Sequence, residues 1–382
     1  MYIKYKSTNM KIAIDARSLE SSKTGVGRYL SNLLRFWKND KDVQFVLCFK
    51  NKIPKEEFLN VDNFEKVVLK NPLGFSSNFF FQHFLLPSYL KKNKIDFFFS
   101  PFYLKPIYCP VPSAIVLHDI SYEAHPEWFD SKSQLVLRML SKFSAKTAKK
   151  IFTVSNYSKS EIMKYYHTDP DKITVTNNAP DDSFEKIDDL AKIKTIKAKY
   201  GIKKKYIFCV GTIFSRRHIT EIIEAFENVS NRCSGYQLLI VGKNVTHPFE
   251  DIDKKIDSIN GKVGSSKIIH LDFISEEELL AFYSSCEFAI YLSDYEGFGL
   301  PVIEAQFFGK AVITSYNTSL IEVGGDSVEF VKENTVEEIQ RSMEKVIFDK
   351  EYKNQLVEKG RENLKRFSWK RCARETLDKL LD

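Results

Sequence analysis

Residues 206–226 read YIFCVGTIFSRRHITEIIEAF. The run Tyr206–Val210 is short and continuously apolar, the pattern of a strand buried on both faces of a parallel sheet. Gly211 ends it. Ile219, Ile222, Ile223 and Phe226 then recur at three-four spacing, one face of a helix. Strand, glycine turn and helix make one unit of a parallel α/β sheet, whose ligands sit in the loops after the strands. That loop holds two consecutive arginines, Arg216 and Arg217. A planar guanidinium suits phosphate and a helix start adds a favourable dipole, so the pair reads as a phosphate site, against the plainer alternative of a surface pair.

The alternation extends in both directions. Strand-like runs lie at 11–16, 43–49, 64–69, 95–101, 113–119, 149–155 and 172–177, with helical spacing at 25–38 and 132–148. Beyond the opening stretch they recur at 236–242, 267–273, 288–293, 311–315 and 327–331, and Ser275 with Glu278 forms a capping box. Two Rossmann-like parallel-sheet domains are predicted, 1–180 and 205–382. The poorly periodic, Lys-rich stretch 181–204 is read as the linker. Helices near 350–364 and 368–381 close the chain.

A length of 382 residues fits two domains, and 43% apolar with 28% charged residues is ordinary for a globular protein. No run of about 18 uncharged apolar residues occurs, and no apolar signal core precedes Lys11, so a cytoplasmic protein is expected. The six cysteines lack C-x-x-C pairing and read as buried reduced thiols. Residues 1–180 carry 27 Lys+Arg against 16 Asp+Glu, and the remainder 30 against 34. A basic first half fits an anionic partner (nucleic acid, a phosphorylated acceptor or an acidic membrane) or a Lys-rich composition without function. Residues 78–92, NFFFQHFLLPSYLKK, read either as a buried helix or as a segment touching a membrane.

Three more strand-end loops carry chemistry. Thr24-Gly25-Val26-Gly27-Arg28 lets backbone approach a phosphate or is a plain turn; with Leu30 it lacks a complete G-x-G-x-x-G. His118, closing the run at 113–119, bonds a substrate hydroxyl, handles a proton, or is a satisfied histidine. Residues 293–305, SDYEGFGLPVIEA, place Glu296 before a helix and Glu304 within it. A glycosidase pair needs carboxyls about 5–9.5 Å apart. Eight helical residues span about 12 Å, so separate roles are expected. Asp251-Ile252-Asp253 matches the D-x-D of metal-using transferases but reads as a solvated helix face.

In order, KIAIDARSLESSKTGVGRYLSNLL, LHDISYEAHPEWF, TVSNYSKSEI, VGTIFSRRHITEIIEAF, HLDFISEEELLAFY, SDYEGFGLPVIEA and FSWKRCARETL resemble the retaining glycosyltransferases of family 4, with the GT-B fold, over nearly the whole chain. The resemblance implies an active site in the cleft between the domains. Gly25 and Gly27 would approach the donor diphosphate or the acceptor, and His118 the transferred sugar. Arg216 and Arg217, after the turn at Gly211, would neutralise the leaving diphosphate. Glu296, Gly297 and the amides of Phe298, Gly299 and Leu300 would hold sugar hydroxyls. Glu304 would bond the ribose, and the backbone near Phe273 and Ile274 would receive the base. The last helix would cross back to the first domain.

It further implies a GDP- or UDP-sugar donor as co-substrate, with no cofactor or metal. The acceptor would be a glycan or lipid-linked glycan in surface polysaccharide synthesis, the sugar mannose or a similar hexose. Peripheral contact with the inner membrane is expected, and nucleic acid is not a partner. Arg217 replaces the family's usual Lys, His218 its frequent Asn, and Asn177-Asn178-Ala179 its Asn-Gly. A nucleotide-sugar epimerase or phosphorylase of this shape, a dinucleotide oxidoreductase and a non-catalytic binding protein are the competing readings.

Overall fold

The short apolar runs pair as parallel strands, and most are followed by a helix that returns the chain to the start of the sheet; residues 101–112 make one such return without a helix. The computed structural model describes residues 10–20, 25–71, 74, 77–129, 131–263 and 267–382, without the side chains of 131–133, 231 and 263. It divides into two units, one of residues up to Asp181 together with Ser368–Asp382, the other Asp182–Phe367.

In the first unit β1 (Met10–Asp15), β2 (Val43–Phe49), β3 (Phe64–Val68), β4 (Phe97–Ser100), β5 (Ser113–Leu117), β6 (Lys150–Thr153) and β7 (Ile173–Val175) form one sheet ordered β3-β2-β1-β4-β5-β6-β7. Every pairing is parallel. Helix Trp369–Leu381 packs on helix Gly25–Trp37, where Trp37 Nε1 donates to Ala373 O at 2.8 Å.

In the second unit β8 (Lys205–Val210), β9 (Tyr236–Val241), β10 (Ile268–Leu271), β11 (Phe288–Tyr291), β12 (Ala311–Ser315) and β13 (Glu329–Val331) are ordered β10-β9-β8-β11-β12-β13, again all parallel. Ile207, Leu238 and Ile290 of the strands meet Ile222, Phe226 and Met343 of the helices in one core. The strand order reverses between β1 and β4 in one sheet and between β8 and β11 in the other. Loops part to opposite faces there and leave a crevice at the carboxyl ends of the strands.

Residues 182–204 differ from the linker reading. They belong to the second unit and contain helix Leu190–Lys199, capped by Asp189, whose carboxylate accepts from the amides of Ala191 and Lys192. Only Ile193 of that helix is buried, so Lys-rich exposed faces hide its period. The 78–92 segment is neither buried all round nor fully at the surface: Phe81, Leu86 and Leu90 enter the core while Phe79 and Phe84 are exposed. Among the described residues no helix is long and apolar enough to cross a membrane.

Candidate active site

The β8–β11 crevice gathers the charged residues of the second unit. After β8, Ser215–Arg217 form a single tight turn leading to helix Ile219–Arg232. Ser215 Oγ donates to His247 O at 3.1 Å and accepts from His247 N at 3.0 Å, which fixes the turn against the loop after β9. The two loops approach closely because residue 242 is glycine. Its φ is 150°, and an added Cβ would stand 2.0 Å from Gly211 O.

The turn aims both arginines at one carboxylate. Arg217 Nη1 lies 3.2 Å from Glu296 Oε1, and Arg216 Nε 3.9 Å from the same oxygen. Arg217 also stands over the Tyr291 ring, its Cζ 4.1 Å from the centroid, and Arg216 over Phe214 at 4.4 Å. Burial acts to lower the Arg217 pKa, but Glu296 and Tyr291 outweigh it and the net shift is upward. The guanidinium is charged and nearly buried, yet its Nε and Nη1 make no hydrogen bond among the described residues. Buried guanidinium N–H groups with hydrogen-bonding capacity to spare are of the kind that an anion can meet.

Glu296 sits in the loop after β11, which side chains from the loop after β12 hold in place. Asn317 Nδ2 donates to Ser293 O at 2.9 Å, and Ser319 Oγ to Glu296 O at 2.8 Å and Phe298 O at 3.1 Å. Gly299 ends the loop at φ 98°, where a Cβ would fall 2.6 Å from Leu320 Cδ2. Helix Leu300–Phe307 starts directly after it, so Gly297, Phe298, Gly299 and Leu300 lead from Glu296 into the first turn of the helix. The Phe298 side chain itself is core, edge-on to Phe367 at 5.6 Å.

Glu304 lies one turn along that helix, buried, and its Oε2 accepts from Tyr283 OH at 3.0 Å. Phe273 is exposed and Ile274 half-exposed, just before the capping box, in which Ser275 and Glu278 exchange both bonds. Asp253 of the D-x-D pairs with His270 at 2.8 Å, and Asp251 accepts from Lys254 N at 3.0 Å at a helix start.

His218, next to the arginines, has φ 54° and begins the following helix. Its Nε2 is 2.6 Å from Asp294 Oδ1, and its Nδ1 3.7 Å from Glu221 Oε1. Burial pulls its pKa down, but hydrogen bonds to the two carboxylates prevail and raise it to about 9.

The remaining predicted residues belong to the first unit. His118 lies past β5, its Nε2 3.1 Å from Pro101 O and its ring edge-on to Tyr29 at 5.0 Å. Burial lowers its pKa, against the Pro101 carbonyl and Asp119, which favours the neutral imidazole, and Nε2 facing a carbonyl oxygen is the donor. Gly25 and Gly27 form the first turn of helix Gly25–Trp37 instead of a loop before it, and a Cβ on Gly25 would meet nothing within 4 Å. Thr24 lies outside the described residues. Gly242, Tyr291, Tyr283 and the 317–319 clamp escaped the sequence reading, and Asp294 lay within the quoted 293–305 stretch without a role of its own. Gly242 had a signal, a glycine ending a strand run as Gly211 does.

Two family models match the chain: Glycosyltransferase Family 4 over residues 23–184, and Glycosyl transferases group 1 over residues 192–363. The chain is 24% identical over 389 residues to O-antigen chain mannosyltransferase B of Escherichia coli, covering 97% of this chain and 99% of that one. It is 30% identical over 201 residues to O-antigen chain mannosyltransferase RfbU of Salmonella typhimurium, covering 53% and 51% of the two chains. Among solved structures, Anabaena Alr3699/HepE in complex with UDP and glucose is similar with a TM-score of 0.73 at 15% identity, over 98% of this chain and 99% of that one. The chain belongs to the family 4 glycosyltransferases and has the GT-B fold. It is a glycosyltransferase.

Proposed function

We propose that the protein transfers a hexose, mannose in the first instance, from a nucleotide diphospho-sugar to a glycan or lipid-linked acceptor in surface polysaccharide synthesis, with retention at the anomeric carbon. The observation that carries this is the Arg216–Arg217–Glu296 cluster, with unspent Arg217 N–H donors at the β8–β11 crevice. The donor's diphosphate leaves with its charge, and the two guanidiniums take it up in a site organised before the reaction. Glu296 accepts from a hydroxyl of the sugar, and the 297–300 backbone lies beside the same group.

The anomeric carbon–phosphate oxygen bond breaks as the bond to the acceptor oxygen forms on the same face. The acceptor proton passes to the departing phosphate oxygen. This chemistry needs no metal. Glu304 is the candidate for the ribose hydroxyls, and the backbone at Phe273–Ile274 for the base. His118 is the candidate contact to the transferred sugar. The mannosyl preference is taken from the names of the relatives, and the nucleotide is guanosine or uridine diphosphate. A lipid-linked acceptor would bring the chain to the cytoplasmic face of the inner membrane.

The test is product analysis. Purified protein is given GDP-mannose or UDP-hexoses with a mannose-terminated oligosaccharide, and the new linkage is read by proton NMR. An α-linked product from an α-linked donor, formed in the presence of EDTA, is expected. A β-linked product would overturn retention, and dependence on added manganese would overturn the metal-free reading.

A further inference from the structure

Helix Ser131–Thr147 packs Ala145 and Leu137 on the core but turns a second apolar stripe outward. Large apolar side chains of a globular helix ordinarily face the core, and polar ones face water. Here Gln134, Ser141, Ser144 and Ala145 are buried, whereas Leu135, Val136 and Met139 are 58%, 56% and 64% exposed and Phe143 37%. At 3.6 residues per turn those four exposed side chains fall within an arc of about 100°. The polar inner face is bonded in place: Gln134 Nε2 donates to Tyr122 O at 3.0 Å, and Ser141 Oγ is 2.8 Å from Tyr166 OH. Rotating the helix to bury the apolar stripe would break both.

The stripe continues across one face of the sheet. Phe98 packs beneath Leu86 and Leu90, and Ile115 beneath Ala145. Ser100, two residues after Phe98, pairs with Ile115, so both helices cover the same side. Between them the 101–112 segment is tied to each. Lys105 N donates to Ser144 Oγ at 3.2 Å with its ammonium 5.5 Å from the Phe143 ring, and Ile107 N donates to His83 Nδ1 at 3.2 Å. This layer exposes Ile107 and Tyr108, then Phe79 and Phe84. Eight of the ten exposed large apolar side chains of the first unit, among the described residues, therefore belong to these two helical segments and the stretch between them, while Phe102 lines the strand-end cavity with Asp15 and Arg17. Apolar surface so concentrated marks an interaction site.

Charge selects the partner. Residues 78–95, 101–112 and 131–149 hold nine Lys or Arg and no Asp or Glu. Lys91, Lys92, Lys94, Lys142, Lys146 and Lys149 are exposed. A second copy docking through the same face would set lysines against lysines. A surface of uniform negative charge over an apolar interior meets both features at once.

We propose that this face of the first unit docks on a bilayer containing anionic lipid. The Leu135–Met139–Phe143 stripe and Phe84 sit below the headgroups, with the lysines among the phosphates. This deepens the membrane contact proposed above by naming its surface. Vesicle binding is read without donor, and donor binding without vesicles, so either reading can fail alone.

The full chain is sedimented with vesicles of phosphatidylcholine alone and of an equal mixture with phosphatidylglycerol. Binding to the mixed vesicles only is expected. It should fall about tenfold or more for the triple variant Leu135→Ser/Met139→Ser/Phe143→Ser, and similarly for Lys142→Glu/Lys146→Glu. Phe84→Ser, on the other helix, should weaken it in a separate fold context. Thermal melts verify that each variant is folded, and donor affinity should not change. Absence of wild-type binding to mixed vesicles, or equal binding by the folded variants, overturns the proposal. So does a dimer, seen by sedimentation equilibrium, that the triple variant dissociates, for the face would then be an interface between copies.

Discussion

Arg217 is held between Glu296, 3.2 Å from its Nη1, and the face of Tyr291, 4.1 Å from its Cζ. The carboxylate balances its charge and the ring packs against it, while its Nε and Nη1 keep hydrogen-bonding capacity for a ligand. Arg217→Ala should lower kcat by about 10²–10³. Arg217→Lys, which keeps the charge but loses the forked donor, should recover only part of it. Steady-state kinetics on both variants checks this, and full activity in the lysine variant would count against a role for the guanidinium fork.

Glu296→Gln leaves two nearly buried guanidiniums without their shared counter-charge. Removing one partner of a buried pair costs more than the pair contributes. Stability should fall by about 1–3 kcal/mol, and kcat should fall with it. Urea denaturation of the variant provides the number.

His218 predicts a pH dependence. Its pKa is raised from 6.5 to about 9 in the folded chain. The stabilisation is therefore complete below pH 6.5 and is lost as pH rises through 9. The loss amounts to about 3 kcal/mol at most. His218→Gln should remove that slope between pH 6.5 and 9 while leaving the rest of the stability profile in place. Melting curves at stepped pH would show it.

Gly242, in the loop after β9, and Gly25, in the first turn of its helix, should behave oppositely. Gly242→Ala forces a Cβ to 2.0 Å from the Gly211 carbonyl oxygen at φ 150°, and should destabilise by about 3 kcal/mol or more. Gly25→Ala meets open space and should not destabilise. If Gly25→Ala nonetheless lowers activity in a stable protein, the backbone at Gly25 approaches a ligand.

Tyr283→Phe removes the hydroxyl donated to the buried Glu304 carboxylate. A loss of about 1–3 kcal/mol is expected, together with weaker donor binding if Glu304 holds the ribose. Calorimetry of unfolding and of nucleotide binding separates the two effects.

The strands and the arginine turn were legible because burial on both faces leaves continuous apolar runs, and a glycine followed by Arg216 and Arg217 interrupts one of them. Glu296 could be read for the same reason, from its place between strand and helix. The partners that fix these groups could not. Asn317 and Ser319 reach Ser293 and Glu296 from another strand end, and Tyr283 reaches Glu304 from another helix. Such contacts join residues about twenty positions apart and leave no period in the sequence. Helix Leu190–Lys199 was hidden because a single buried residue, Ile193, gives no repeat. Helix Ser131–Thr147 was found by its spacing, but spacing alone does not say which side faces the core, and here Leu135, Val136, Met139 and Phe143 face out.

The most direct test of the central claim is calorimetric titration of the folded wild-type chain and of Arg217→Ala with GDP-mannose and UDP-glucose. Saturable binding of one of these donors by the wild type, weakened tenfold or more in Arg217→Ala (about 1.4 kcal/mol), is the predicted result. Equal affinity in the two proteins, or no binding of either donor by folded wild-type protein, would contradict the assignment of the diphosphate to Arg217.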